Sequence, residues 1–314
     1  MDAPLTFQPV YMERPWGGRS LQRLYARPLP PPPARIGESW EIVDRDDCQS
    51  VVAEGALTGV TLHTVWRDYR REIFGEAALA HPSPRFPLLL KILDAAETLS
   101  IQVHPPAEMA VRLGGEPKTE MWYVAEAAPD SALFVGVRPG VDRERFRAAL
   151  ADGTVADLVP RLPVRAGDSI FIPSGRLHAI GAGLVIFEIQ QNSDTTYRVF
   201  DWNRTGLDGR PRALHIEESL ACIDFDDTSP TLNPENATTL ADCGHFRVNQ
   251  RPMPPGRRWE VDAFRVVAVT AGSIEAGGRL FTAGQFLMIP QPRSGPATVI
   301  SGPDGAHLLE IELR

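Results

Sequence analysis

Residues 167–178 read Gly-Asp-Ser-Ile-Phe-Ile-Pro-Ser-Gly-Arg-Leu-His. They supply a glycine turn, a short apolar strand, a Pro-x-Gly turn and then one histidine, an order that leaves the local chain little choice but strand, tight turn, strand. Upstream, Gln102-Val103-His104 places two polar side chains two residues apart, and alternate residues of a strand share a face. Glu120 opens the apolar run Met121-Trp122-Tyr123-Val124, which reads as a buried strand whose leading carboxylate needs a partner. A lone histidine in an apolar stretch is ordinarily a hydrogen-bonded core residue. The surrounding pattern and the Gln-x-His partner instead mark Gln102, His104, Glu120 and His178 as candidate ligands of one metal ion.

The Gly-to-His order resembles the second signature of the cupin barrels, in which the histidine emerges on a strand facing the barrel interior. A weaker echo lies downstream: Ala166-Gly167-Asp168-Ser169-Ile170-Phe171-Ile172-Pro173 parallels Ala283-Gly284-Gln285-Phe286-Leu287-Met288-Ile289-Pro290, where no histidine follows. The expected fold is therefore mainly β, two cupin-type β-barrels of jelly-roll kind with a small helical insertion. The boundary is placed between a metal-binding domain over 1–230 and a barrel without metal over 231–314. Strands are expected over 38–43, 88–95 and 99–104, and helical segments over 62–80, 107–113, 142–150, 155–158 and 212–222. The 15 residues between His104 and Glu120 form an insertion that strand pairing has to bridge.

Composition narrows the function classes. With 314 residues, 43% of them hydrophobic and 23% charged, the chain can bury a large core, and no apolar run reaches the length of a membrane span. A net charge of -8 with scattered arginines argues against a nucleic-acid surface. Three cysteines without metal-site spacing, and no basic-then-apolar leader, point to free thiols in the cytoplasm. The chain has two lysines, Lys91 and Lys118, and the other 30 basic residues are arginines. Both lysines fall near the proposed ligands, where a compact ammonium has a use that a guanidinium does not.

The combination of Lys91-Ile92-Leu93-Asp94, Leu99-Ser100-Ile101-Gln102-Val103-His104-Pro105, Lys118-Thr119-Glu120-Met121-Trp122-Tyr123 and Gln191-Asn192-Ser193-Asp194-Thr195-Thr196-Tyr197-Arg198 resembles the type I mannose-6-phosphate isomerases, in their short bacterial form. The likeness runs from Trp16-Gly17-Gly18 to Arg212-Ala213-Leu214-His215 and thins towards the C-terminus. One departure is Met121, where short forms often carry cysteine. The resemblance implies one zinc ion per chain at Gln102, His104, Glu120 and His178, and reversible interconversion of mannose 6-phosphate and fructose 6-phosphate. It further implies a catalytic Arg198, a phosphate site at Ser100 and Lys118, and Lys91 lining the site. The reaction moves a proton between C1 and C2 through an enediolate. Arg198 cannot surrender its proton, so the carrier is left open among Lys118, Lys91, Asp194 and Glu188. The resemblance implies a small sugar phosphate as the partner, and the chain is expected to be a monomer or weak homo-oligomer. Two rival readings are a sugar-phosphate-binding cupin without catalysis, whose mark would be missing ligands or a missing Arg198, and a metal-dependent cupin dioxygenase, in which 192–198 would have no role.

Overall fold

A computed structural model describes residues 3–314. The chain forms two compact units that interleave in sequence: of the described residues, one contains 11–39 and 91–235, the other 3–10, 40–90 and 236–314. Where the sequence suggested one break after residue 230, the chain passes between the units four times, after residues 10, 39, 90 and 235. The reason is that the chain changes unit inside strands, between 39 and 40 and between 90 and 91, where composition gives no sign of a boundary.

The unit built on 11–39 and 91–235 has two sheets. Its larger sheet runs β1 (Val10–Gly18), β2 (Ile36–Ile42), β3 (Leu88–Ala95), β10 (Leu184–Gln191), β5 (Glu120–Ala127) and β8 (Ser169–Ile172) side by side. The smaller orders β11 (Tyr197–Phe200), β4 (Ile101–Val103), β9 (His178–Ile180), β6 (Ala132–Val135) and β7 (Arg161–Pro163). Trp16, Leu93, Trp122, Val124, Ile170 and Ile186 of the first sheet pack with Leu133, Val135 and Ile180 of the second, so the two inner faces share an apolar core. The outer face of the smaller sheet, carrying Ile101, Val103, Ala179 and Val199, packs with Phe146 and Ala149 of the helix Arg143–Asp152 and Leu220 of the helix Ile216–Cys222. The period-2 alternation does the sorting. With Ile101, Val103 and Ala179 committed outward, Gln102 and His178 point inward, opposite each other in register.

The motif that opened the sequence argument folds as its residues require. Ser169–Ile172 is a strand, Gly175 turns the chain at φ 91, and His178 starts the next strand. A side chain rarely adopts that φ, which is why the Pro-x-Gly turn ends in glycine. Helices Ala107–Leu113 and Arg143–Asp152 fall where expected, the second capped by the Asp142 side chain accepting from the Arg145 N–H at 2.8 Å. Two expectations shorten. Residues 99–104 pair as a strand only over Ile101–Val103, stopped by Pro105, and the helix expected from 212 begins at Ile216.

The other unit carries a seven-stranded antiparallel sheet with β12 (Thr239–Asp242), β13 (Phe246–Met253), β18 (Ala297–Leu313), β15 (Arg265–Ala276) and β16 (Arg279–Thr282) in order; β14 (Arg258–Val261) pairs β18, and β17 (Phe286–Ile289) pairs β15. Its interior is apolar: Met253, Val267, Val269, Phe281, Leu287 and Leu308 fill it. The two-residue turn and four-residue strand over 283–290 repeat those over 166–173. The helical stretch expected over 62–80 lies in this unit and breaks into three, an α-helix Leu62–Asp68, a π turn Arg70–Phe74 and a 3-10 turn Glu76–Ala80, divided at Gly75 with φ 86. Mainly β, with three sheets and few helices, the architecture is cupin-like.

Candidate active site

At one end of the inter-sheet core the apolar side chains give way to charge. His104, Glu120 and His178, all buried, bring ligand atoms within 4.8 Å of one another. His104 Nε2 lies 3.5 Å from Glu120 Oε2 and His178 Nε2 lies 3.6 Å from Glu120 Oε1. The other ring nitrogens face backbone carbonyls: His104 Nδ1 is 3.0 Å from Thr195 O, and His178 Nδ1 is 2.9 Å from Arg176 O. A carbonyl can only accept, so each Nδ1 carries the proton and each Nε2 turns a lone pair towards Glu120.

Electrostatics agree with that tautomer. Burial, reinforced by the neighbouring His104, pushes His178 down to about 3. Burial and the Lys118 ammonium lower His104 as well. Burial alone would raise Glu120, but Lys118 and the two imidazoles hold its carboxyl well below the usual carboxylate range. The cluster therefore presents two neutral nitrogens and one carboxylate. Glu120 Oε1, fully buried, accepts no hydrogen bond. Such an acceptor is costly unless a cation meets it.

Gln102 and Lys118 tie this cluster to a cavity of about 380 Å³, because both belong to its lining. Gln102 Nε2 is 3.3 Å from His178 Nε2, and Gln102 Oε1 accepts from Ser100 Oγ at 3.2 Å. Turning the amide over would present its oxygen to the cluster and its NH₂ to Ser100 Oγ, which can accept it. Lys118 Nζ lies 2.8 Å from Glu120 Oε2 and 3.2 Å from His104 Nε2. Divalent metals that accept imidazole nitrogen, carboxylate and amide oxygen fit this donor set.

Every other residue singled out from the sequence lines the same cavity: Lys91, Ser100, Asp194 and Arg198. Arg198 stands opposite Gln102 across β11 and β4, its Nε donating to Ser100 Oγ at 3.3 Å and its Nη1 to Ala213 O at 3.1 Å. Asp194 precedes β11 on the loop whose backbone meets Glu116. Lys91 lies between Glu38 at 3.4 Å and Glu188 at 3.3 Å. Sequence reasoning missed Arg14, Glu38, Arg212 and His215, which also face the cavity. Arg212 and Arg204 share one carboxylate, Asp201, at 2.5 and 2.7 Å. Their only local sequence signal was the charged pattern of 198–215, whose partners become visible once the chain turns back at Ala213 and His215.

Comparison with known proteins follows the same line. Residues 5–132 match the family model for the catalytic domain of type I phosphomannose isomerase. The chain is 38% identical over 257 residues to mannose-6-phosphate isomerase ManA of Bacillus subtilis, covering 79% of this chain and 78% of the relative. It is 40% identical over 239 residues to a mannose-6-phosphate isomerase of Streptococcus mutans, covering 76% and 71%. The crystal structure of mannose 6-phosphate isomerase from Bacillus subtilis superposes with a TM-score of 0.86 at 28% identity, over 99% of this chain and all of the other.

Proposed function

Starting from its membership of the type I mannose-6-phosphate isomerases, the family to which this chain belongs, we propose how the residues of the cavity divide the work. The chain is an aldose–ketose isomerase that interconverts mannose 6-phosphate and fructose 6-phosphate. The observation that carries the residue assignment is the joining of a buried two-histidine, one-carboxylate cluster to a cavity through Gln102 and Lys118. In our reading His104, Glu120 and His178 with Gln102 hold one zinc ion per chain, which would act as a Lewis acid on substrate oxygen. Cys48, Cys222 and Cys243, which form no disulfide among the described residues, favour the cytoplasm as its place of work.

The remaining roles follow from charge. Arg198 keeps its proton although burial and Arg212 lower its affinity, so it orients the sugar and meets charge developing on the enediolate oxygen. Lys91, raised by Glu38 and Glu188 against the effect of burial, is a standing cation and a poor proton carrier. Glu188 is raised, chiefly by burial, which brings a carboxyl towards the range where it both takes and returns a proton. We therefore assign Glu188 to remove the C2 proton of the open-chain aldose and return it at C1, with Asp194 the alternative carrier. Lys118, in contact with His104 and Glu120, belongs with the reacting carbons. The phosphate then falls to Ser100 and to Arg212, whose side chains line the cavity.

Turnover of mannose 6-phosphate by metal-stripped protein, followed in a coupled assay as zinc is returned, tests the assignment. Activity should be absent without metal and appear with one equivalent. Full turnover in metal-free protein would refute it.

A further inference from the structure

Five adjacent strands of the larger sheet each contribute one polar side chain to the same wall of the cavity: Arg14 from β1, Glu38 from β2, Lys91 from β3, Glu188 from β10 and Trp122 from β5. Consecutive members touch. Arg14 Nε donates to Glu38 Oε1 at 2.7 Å, Glu38 Oε2 is 3.4 Å from Lys91 Nζ, Lys91 Nζ is 3.3 Å from Glu188 Oε2, and Trp122 Nε1 donates to Glu188 Oε1 at 3.1 Å. The close approach that starts the row is built into the sequence: a Cβ on Gly37 would stand 2.6 Å from Arg14 Cβ, so β1 and β2 meet here only because residue 37 is glycine.

Both carboxylates are divided in the same way. Arg14 occupies one oxygen of Glu38 and leaves the other to Lys91; Trp122 occupies one oxygen of Glu188 and leaves the other to Lys91. The four ionised groups sum to zero, and the lysine at the centre, 4% exposed, is held from both sides. We propose that Arg14 and Glu38 are positioning residues for the isomerisation, acting through Lys91: the row fixes Lys91 as an ammonium at a set place beside Glu188, and so fixes where Glu188 can exchange its proton with the sugar. This rests on the assignment of the cavity as the isomerase site.

The groups that act on the charge of Lys91 include Glu38 and Glu188 in contact, with Asp194 and Glu120 farther off on the acidic side, Arg14 beyond Glu38, and Lys118 acting on Glu188. Removing one contact carboxylate should loosen the proton on Lys91, whereas removing Arg14 should leave it charged but shifted.

Because the chain has two lysines, selective ¹⁵N-lysine labelling of the full-length protein gives two side-chain amine signals, assigned with Lys118→Arg. Lys91 should keep its ammonium signal from pH 6 to above 10 in the unsubstituted chain. In Glu38→Gln the signal should begin to titrate inside that range. Arg14→Met, at the more exposed end, should retain the ammonium with an altered shift. Turnover number should fall about tenfold or more in Glu38→Gln and about threefold in Arg14→Met with KM changed less, and Arg14→Lys should recover part of it. If Lys91 keeps both charge and shift in Glu38→Gln, the row does not act as one and the proposal is overturned. If Lys91 titrates as expected while turnover per folded molecule is unchanged, the positioning role is overturned and the row is a structural ion pair. Failure of the isomerase assignment would look different, since the unsubstituted chain itself would not turn over mannose 6-phosphate while the amine signals still reported on the row.

Discussion

Acid should weaken metal binding far less than two ordinary histidines would allow. An imidazole must be neutral to ligate, and with the usual value near 6.5 about nine-tenths of it is protonated at pH 5.5, costing roughly tenfold in affinity for each histidine and about 100-fold for two. His178, held down to about 3, contributes none of that loss, and His104, lowered by burial and Lys118, contributes less than its ordinary share. Glu120 stays ionised throughout. Between pH 7.5 and 5.5 the affinity of metal-stripped protein for zinc should therefore fall by less than about tenfold, measured by competition with a chromophoric chelator corrected for its own protonation. The same shift has a stability consequence of known sign. The unfolded chain binds protons at its histidines near 6.5 that the folded site refuses, so the stability is fully present above that value and drains away as pH falls towards 3. At pH 5.5 the loss should be roughly 1.4 kcal/mol for His178, with a loss of the same sign from His104, seen as a lower urea midpoint with unchanged slope in metal-stripped protein. A 100-fold loss of affinity with no change of midpoint would mean that both imidazoles titrate normally and would refute the buried, neutral cluster.

Four further outcomes are expected. Glu120→Gln should abolish stoichiometric metal and leave the Lys118 ammonium buried beside a neutral amide, at about 3–5 kcal/mol in metal-stripped protein; an unchanged melting temperature would show that the ion pair at 2.8 Å is not formed. Arg198→Ala should cut turnover about 100-fold or more while melting temperature and metal content hold; a lowered melting temperature with turnover retained in the folded fraction would make it a structural residue. Lys118→Ala should reduce rates on mannose 6-phosphate and on unphosphorylated mannose by the same factor, whereas Arg212→Met should penalise the phosphorylated sugar selectively; the reverse pattern would return the phosphate to Lys118. Elemental analysis should find one equivalent of metal per chain, and two would contradict the reading of 283–290 as a turn and strand without ligands.

What could be read from the sequence, and what could not, divides along range of interaction. Gln102 and His104 were legible as a pair because strand periodicity fixes their shared face, and His178 because the turn before it is spelled by Pro173 and Gly175. Glu120 was legible as a carboxylate in need of a partner, though its place beside both imidazoles depends on β10 and β8 flanking β5. Arg14 and Glu38 gave no such signal. Each reads locally as an ordinary strand residue, and their relation to Lys91 exists only because β1, β2 and β3 lie side by side, with β10 inserted after β3 almost 100 residues later in the chain. Strand order of that kind is a property of the packed sheet, and the interleaving of the two units has the same origin. The scarcity of lysine is the instructive middle case. It pointed to Lys91 and Lys118 as site residues, and each is in fact buried against carboxylate: Lys91 between Glu38 and Glu188, Lys118 on Glu120. It could not say which would meet the phosphate. Lys118 shares Glu120 with the two histidines and Lys91 is closed in by two acids, whereas Arg212 meets Asp201, which it shares with an Arg204 that also lies 3.8 Å from Glu97. The rarity of lysine along the sequence drew attention to these two positions; only the partners of each charge, set by the packed sheet, bear on which end of the cavity would take a phosphate under the roles proposed above.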